Sequence, residues 1–155
     1  MRRIRSLLVQ AFVAWLVIVA PVVPAAQVGE TYALLIGIND YRYFNRSLAG
    51  PENDVAYMRE LLMDEDDGLA VPGDNIRTIL SSDATKDAIQ SAIVDYQATR
   101  RRPEDLLIVY FSGHGTALDD DDGGLPCLLP YGAKPGGPAT FISLHRDLAP
   151  WMRKV

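Results

Sequence analysis

From the N-terminus, apolar positions form one long uncharged run and then a series of short blocks separated by polar turns. The long run, Leu7 to Val23, is broken only by Gln10. The first short block, Thr31 to Ile38 (TYALLIGI), has strand length and continuous apolar character, which predicts a buried strand. Asn39 to Gly50 reads as a polar and aromatic loop. Pro51 suits the first position of a helix, where its missing N–H has no partner to lose. Val55, Met58, Leu61 and Leu62 then recur at helical spacing and carry that helix to about Met63, before acidic residues and Gly68 end it.

Pro72, Gly73 and Asp74 mark a turn, and Asn75 to Leu80 (NIRTIL) predicts a second strand. Thr85 is placed to cap a second helix, with Asp87 in its first turn, where negative charge is favoured. Ile89, Ile93 and Tyr96 line one face of it, with Ala92 beside them. The helix fades at Arg100, Arg101, Arg102 and Pro103. Asp105 to Ser112 (DLLIVYFS) predicts a third strand. Its six consecutive apolar residues, Leu106 to Phe111, imply burial on both faces and a central place in the sheet. Strand, helix, strand, helix, strand gives an α/β class, with a mainly parallel sheet covered by crossover helices. Ser143 to Val155 reads as a further helix in which Trp151 packs and His145 is exposed.

The long N-terminal run changes the domain count. Arg2, Arg3 and Arg5 precede it, and Val23, Pro24, Ala25 and Ala26 offer small residues after it, the layout of a secretory signal over residues 1–26. The alternative is an uncleaved membrane anchor, against which stand its prolines and its length below about 20 residues. The expected product is an exported protein, periplasmic or secreted, with one domain over residues 27–155. Membrane contact is then confined to the N-terminal segment if it is retained. Without the segment, 12 basic residues face 20 acidic ones, a net charge of −8. Such a surface repels phosphate backbones and argues against nucleic acid as a partner. The single cysteine, Cys127, excludes an internal disulfide framework.

The chemistry concentrates after the third strand. In open α/β sheets, ligands gather beyond the C-terminal strand ends, and this strand runs directly into Ser112, Gly113, His114 and Gly115. Flanking glycines let the backbone turn and approach a ligand closely. A histidine titrates near neutrality and serves as acid or base, and the Gly115 amide is free to donate to an oxyanion. An ordinary turn with a surface histidine is the competing reading. No glycine-rich phosphate loop follows the first strand, which opposes a nucleotide-binding domain.

Four blocks in order, Leu34 to Tyr41 (LLIGINDY), Leu48 to Val55 with its Asn53-Asp54-Val55 step, Asp105 to Gly115 (DLLIVYFSGHG), and Leu128-Leu129-Pro130 with Ile142-Ser143-Leu144, resemble the caspase-like superfamily of cysteine peptidases, metacaspase-type members above all. The resemblance implies an endopeptidase with a Cys–His dyad acting on peptide or protein substrates. His114 would be its histidine, Gly115 an amide of the oxyanion hole, and Asp54 an acidic residue of a pocket for arginine or lysine before the cut bond. Asp54 is equally a first-turn residue stabilised by the helix dipole. The family's nucleophile lies on the next strand, about 50 residues past the histidine in caspases, beyond Val155. The expectation is therefore a sheet incomplete at its C-terminus and a chain inactive alone, with a second chain as one way of completing the sheet. The alternative is a caspase-fold module that binds peptides or partner chains without catalysis. Cys127, 13 residues after His114 in a short apolar strand, reads as a small hydrophobe without a basic neighbour to activate it. Asp119, Asp120, Asp121 and Asp122 match no EF-hand loop. They read as a solvated run, with calcium as the alternative and no other cofactor implied.

Overall fold

The computed structural model describes residues 29–99, 102–118 and 124–153. The segment read as an export signal and the acidic run 119–122 lie outside them. Among the described residues no helix is long and apolar enough to cross a membrane.

The apolar run at the start of the domain forms β1 (Thr31–Gly37), whose Ala33, Leu34, Leu35 and Ile36 are fully buried. It is the centre of a three-stranded parallel sheet, between β2 (Ile76–Leu80) and β3 (Leu106–Ser112). Helix α1 (Pro51–Met63) connects β1 to β2, with Pro51 in its first turn as expected. Helix α2 (Lys86–Thr99) connects β2 to β3, and Thr85 caps it by accepting the Ala88 amide at 3.2 Å.

Alternation along β1 sorts the core into two layers. Ala33 and Leu35 pack with Val55 and Leu62 of α1. Leu34 and Ile36 face the other way, onto Ile89, Ala92 and Ile93 of α2. A chain that steps from β1 to one neighbour, then over β1 to the other, puts its crossover helices on opposite faces if both turn with the same hand. The α/β class with helices on both sides is thus as the sequence indicated.

One expectation is corrected. The apolar run of β3 is not buried on both faces: every residue of it is at least partly exposed, and Leu106 is 53% exposed. The reason is position. β1, not β3, is central, and no described strand pairs with the outer edge of β3.

Beyond β3 lies a second, antiparallel sheet that sequence patterning did not reveal. Its order is β4 (Gly115–Leu118), β5 (Leu125–Leu128) and β6 (Ile142–Ser143). Only the β5 stretch was legible, since strands of two to four residues hold too few alternations to read. Ser143 belongs to β6, and the expected terminal helix divides into a π-helical turn, Leu144–Leu148, and α3 (Ala149–Arg153), in which Trp151 is buried.

The second sheet is tied to the first layer by Lys86 at the start of α2. Its ammonium donates to the Phe141 carbonyl at 2.6 Å and to Asp147 Oδ2 at 3.1 Å. Asp147 also accepts the Ser143 amide at 2.9 Å, and Ser143 Oγ accepts the Arg146 amide at 3.2 Å. The pair is largely shielded from water, so truncating one partner leaves the other poorly compensated. Lys86→Met is expected to lower stability by about 1–3 kcal/mol in urea denaturation. With Asp147→Ala the two losses should be less than additive.

Candidate active site

Strands β1 and β3 end level, Gly37 opposite Ser112, and the Ile38 amide extends the ladder to the Ser112 carbonyl at 3.0 Å. After this point their connections part. β1 leads over the α1 face, while β3 leads into the second sheet on the α2 face. A crevice opens where neighbouring strands part in this way, and it is walled by Phe44 to Arg46 of the loop after β1 and by His114 and Gly115.

The loop is fixed at its base. The Leu48 amide donates to the Asn39 carbonyl at 2.8 Å, and Asn39 Oδ1 accepts the Glu52 amide at 3.2 Å. Ser81 Oγ, at the end of β2, donates to Glu52 Oε1 and accepts the Asn39 amide at 3.4 Å. Ser81 holds this place with φ of 36°, in the left-handed region that a non-glycine residue seldom adopts. Halfway along, Tyr41 and Phe44 bridge each other and stack edge-on, with ring centroids 6.0 Å apart.

His114 occupies the single residue between the bend at Gly113 and β4. Its amide donates to the Tyr41 hydroxyl at 2.6 Å, and its carbonyl accepts the Leu129 amide at 3.0 Å. Its ring lies 4.9 Å from the Tyr41 ring, tilted by 41°. Nε2 stands 3.2 Å from the Arg46 carbonyl. A carbonyl only accepts, so this partner assigns the hydrogen to Nε2 and, in the neutral ring, leaves Nδ1 as the basic nitrogen. Burial pushes the Tyr41 hydroxyl above its usual pKa, the bond from the His114 amide partly offsetting this, so the phenol stays neutral around pH 7.

The chain bends at Gly113, and Gly115 lies in the cleft lining. Neither Gly113 nor Gly115 adopts positive φ. What Gly113 supplies is space, since a Cβ there would stand 2.6 Å from the Tyr41 oxygen and 3.1 Å from the Phe111 ring. Gly115 and His114 together line a cleft of about 340 Å³ with Phe44, Asn45, Arg46, Thr116 and Leu129. Asp54 does not line this cleft. It is exposed in the first turn of α1, where its Oδ2 accepts the Ser112 hydroxyl at 2.7 Å, which places it beside the strand end two residues ahead of His114.

The family described as "Caspase domain" matches residues 30–146. The chain belongs to the caspase domain family. It is 34% identical over 106 residues to "Metacaspase III c" of Phaeodactylum tricornutum (strain CCAP 1055/1), covering 66% of this chain and 30% of that protein. It is 35% identical over 109 residues to "Metacaspase-6" of Arabidopsis thaliana, covering 63% of this chain and 28% of that protein. The caspase domain of this chain thus spans less than a third of the length of these relatives. The crystal structure of protein GSU0716 from Geobacter sulfurreducens superposes with a TM-score of 0.52 at 20% identity, over 68% of this chain and 41% of that one, a likeness of fold.

Within this caspase domain Cys127 sits in β5, 3% exposed, and is absent from the cleft lining. Burial raises its thiol pKa and Asp147 adds to the effect, outweighing the Ser143 hydrogen bond and the charges of Lys86 and Arg146. The expectation that no basic residue stands near it was therefore too simple: two do, and burial wins.

The residues that sequence reasoning missed are Tyr41, Ser112 and Arg46. Tyr41 and Ser112 lie inside the motif blocks but carry no local pattern that singles them out. Arg46 acts through its main-chain carbonyl, which has no sequence signature.

Two measurements test this geometry. Gly113→Ala should cost about 1–3 kcal/mol in urea denaturation, the range for overpacking a filled site. Gly132→Ala, where a Cβ meets nothing within 4 Å, should change stability by no more than about 0.5 kcal/mol. Alkylation of Cys127 at pH 8 should be slow in the native protein and at least roughly tenfold faster after unfolding, because both the thiolate and access are suppressed.

Proposed function

We propose that this caspase domain supplies the histidine half of a Cys–His endopeptidase site acting on peptides with arginine or lysine before the cut bond. The observation that carries the reading is the His114 imidazole at the cleft, with Nε2–H engaged by the Arg46 carbonyl and Nδ1 left as the base. In the reaction a thiol gives its proton to Nδ1, and sulfur attacks the scissile carbonyl. The imidazolium then returns the proton to the departing amine, leaving an acyl-enzyme that water hydrolyses. The Gly115 amide, at the cleft wall, is the donor proposed for the oxyanion.

The thiol is not Cys127, which is buried away from the cleft. The open edge of β3 is where a further strand would pair. A parallel strand paired there would run beside β3 toward Ser112 and so toward His114. That strand is the proposed carrier of the nucleophile, whether from a longer chain or from a second one. Asp54, oriented by the Ser112 hydroxyl, is the proposed anion for the cationic substrate side chain. The burial of the one cysteine in the sequence also supports a second reading, in which these residues alone bind peptides without cutting them.

The chain by itself is expected to bind an arginine-ending peptide in calorimetry and to release no burst of product from an arginine-linked fluorogenic substrate. Asp54→Asn should weaken that binding roughly 10- to 100-fold, since a hydrogen bond to a charged group contributes about 1.5–3 kcal/mol. A burst that disappears in Cys127→Ala would overturn the assignment of the nucleophile. Unchanged binding in Asp54→Asn would remove Asp54 from the pocket.

A further inference from the structure

We infer that Tyr41 is the positioning residue of the His114 site, holding the histidine main chain with its hydroxyl and the imidazole with its ring. The inference rests on the role proposed for His114 and extends it to a residue outside the cleft lining.

The need arises from topology. His114 lies between two sheets, so its N–H has no ladder partner, and the Tyr41 oxygen takes that place at 2.6 Å. On the other side, the Leu129 amide holds the His114 carbonyl at 3.0 Å. The residue is thereby clamped from both directions.

Tyr41 is itself rigid: 6% exposed, packed edge-on against Phe44 and bridged to it. The following residue, Arg42, donates its amide to the Tyr131 carbonyl at 3.1 Å, which ties the loop to the second sheet. Five residues past Tyr41, the same loop presents the Arg46 carbonyl to Nε2. One loop thus grips His114 twice, at the backbone through Tyr41 and at the ring through Arg46. Phenylalanine would fill the same volume, so packing alone does not call for the hydroxyl. The missing side chain at Gly113 leaves room for that oxygen and for nothing larger.

The test is nitrogen NMR of the full chain labelled at histidine. The sequence contains two histidines, and exposed His145 is the internal reference. In the unsubstituted protein the His114 amide should be protected from exchange although it lies outside any strand. Its neutral ring should show the signature of a single Nε2–H tautomer. In Tyr41→Phe, exchange of that amide should quicken about 3- to 10-fold, the change that follows from losing one hydrogen bond. The ring signals should move toward the average of both tautomers, while those of His145 stay in place.

Identical His114 ring signals in the two proteins would reduce Tyr41 to a packing residue. Should Tyr41→Phe fail to fold, the unsubstituted protein still decides: a His114 amide exchanging as fast as that of His145 overturns the inference. Neither readout depends on turnover. The role of Tyr41 is therefore decided even in a chain without peptidase activity, and its failure would leave the peptidase proposal to its own test.

Discussion

Between β3 and β4 the chain leaves one sheet and enters another within two residues, and the His114 N–H at that joint must find a partner outside either ladder. A buried N–H or C=O left without one costs about 1–3 kcal/mol, a large fraction of a small domain's net stability. At His114 the problem is solved by the Tyr41 hydroxyl on one side and the Leu129 amide on the other. Much of the local architecture follows. The loop after β1 must fold back so that Tyr41 reaches the joint, and position 113 must lack a side chain. β5 must run close enough for Leu129 to donate. The imidazole stands at this same joint, so the bonds that stabilise the fold also orient the candidate base.

The wider sheet explains why the joint lies where it does. β1 is buried on both faces and sorts its side chains between α1 and α2. With β2 on one side and β3 on the other, the connections diverge at the C-terminal ends of β1 and β3, and the crevice opens there. Gly37 permits the close approach of α1 to this edge, since a Cβ there would meet the Pro51 carbonyl oxygen at 2.7 Å. That approach sets the first turn of α1, and with it Asp54, against Ser112. The carboxylate and the imidazole are therefore placed by one packing contact and one backbone joint, from segments some sixty residues apart in sequence.

How far this was legible in the sequence depended on the length scale of each feature. β1, α1 and α2 were readable because each repeats its apolar pattern over a full element, and Pro51 and Thr85 mark the helix starts with side-chain chemistry. The motif around His114 located the crevice, since the end of a parallel strand is a predictable place. The rank of β3 was not legible. A run of six apolar residues signals that a strand is to be covered, but not whether the cover comes from residues already counted. The second sheet escaped because its strands are too short to show a period. The contacts on His114 escaped because a hydroxyl 73 residues away and a main-chain carbonyl leave no mark on local composition.

Cys127 shows why proximity in sequence to His114 is a poor guide to chemistry. It pairs with Thr116, two residues past the histidine, yet its side chain enters the core with Ile142 and Trp151. A thiolate there would give up solvation and face the Asp147 carboxylate. Lys86, the cation best placed to compensate, is already committed to Asp147 and the Phe141 carbonyl. The lysine that fastens the second sheet to α2 still lowers the thiol pKa, but burial and Asp147 outweigh it. Among the described residues the outer edge of β3 pairs with no strand, and that edge ends at Ser112, two residues before His114.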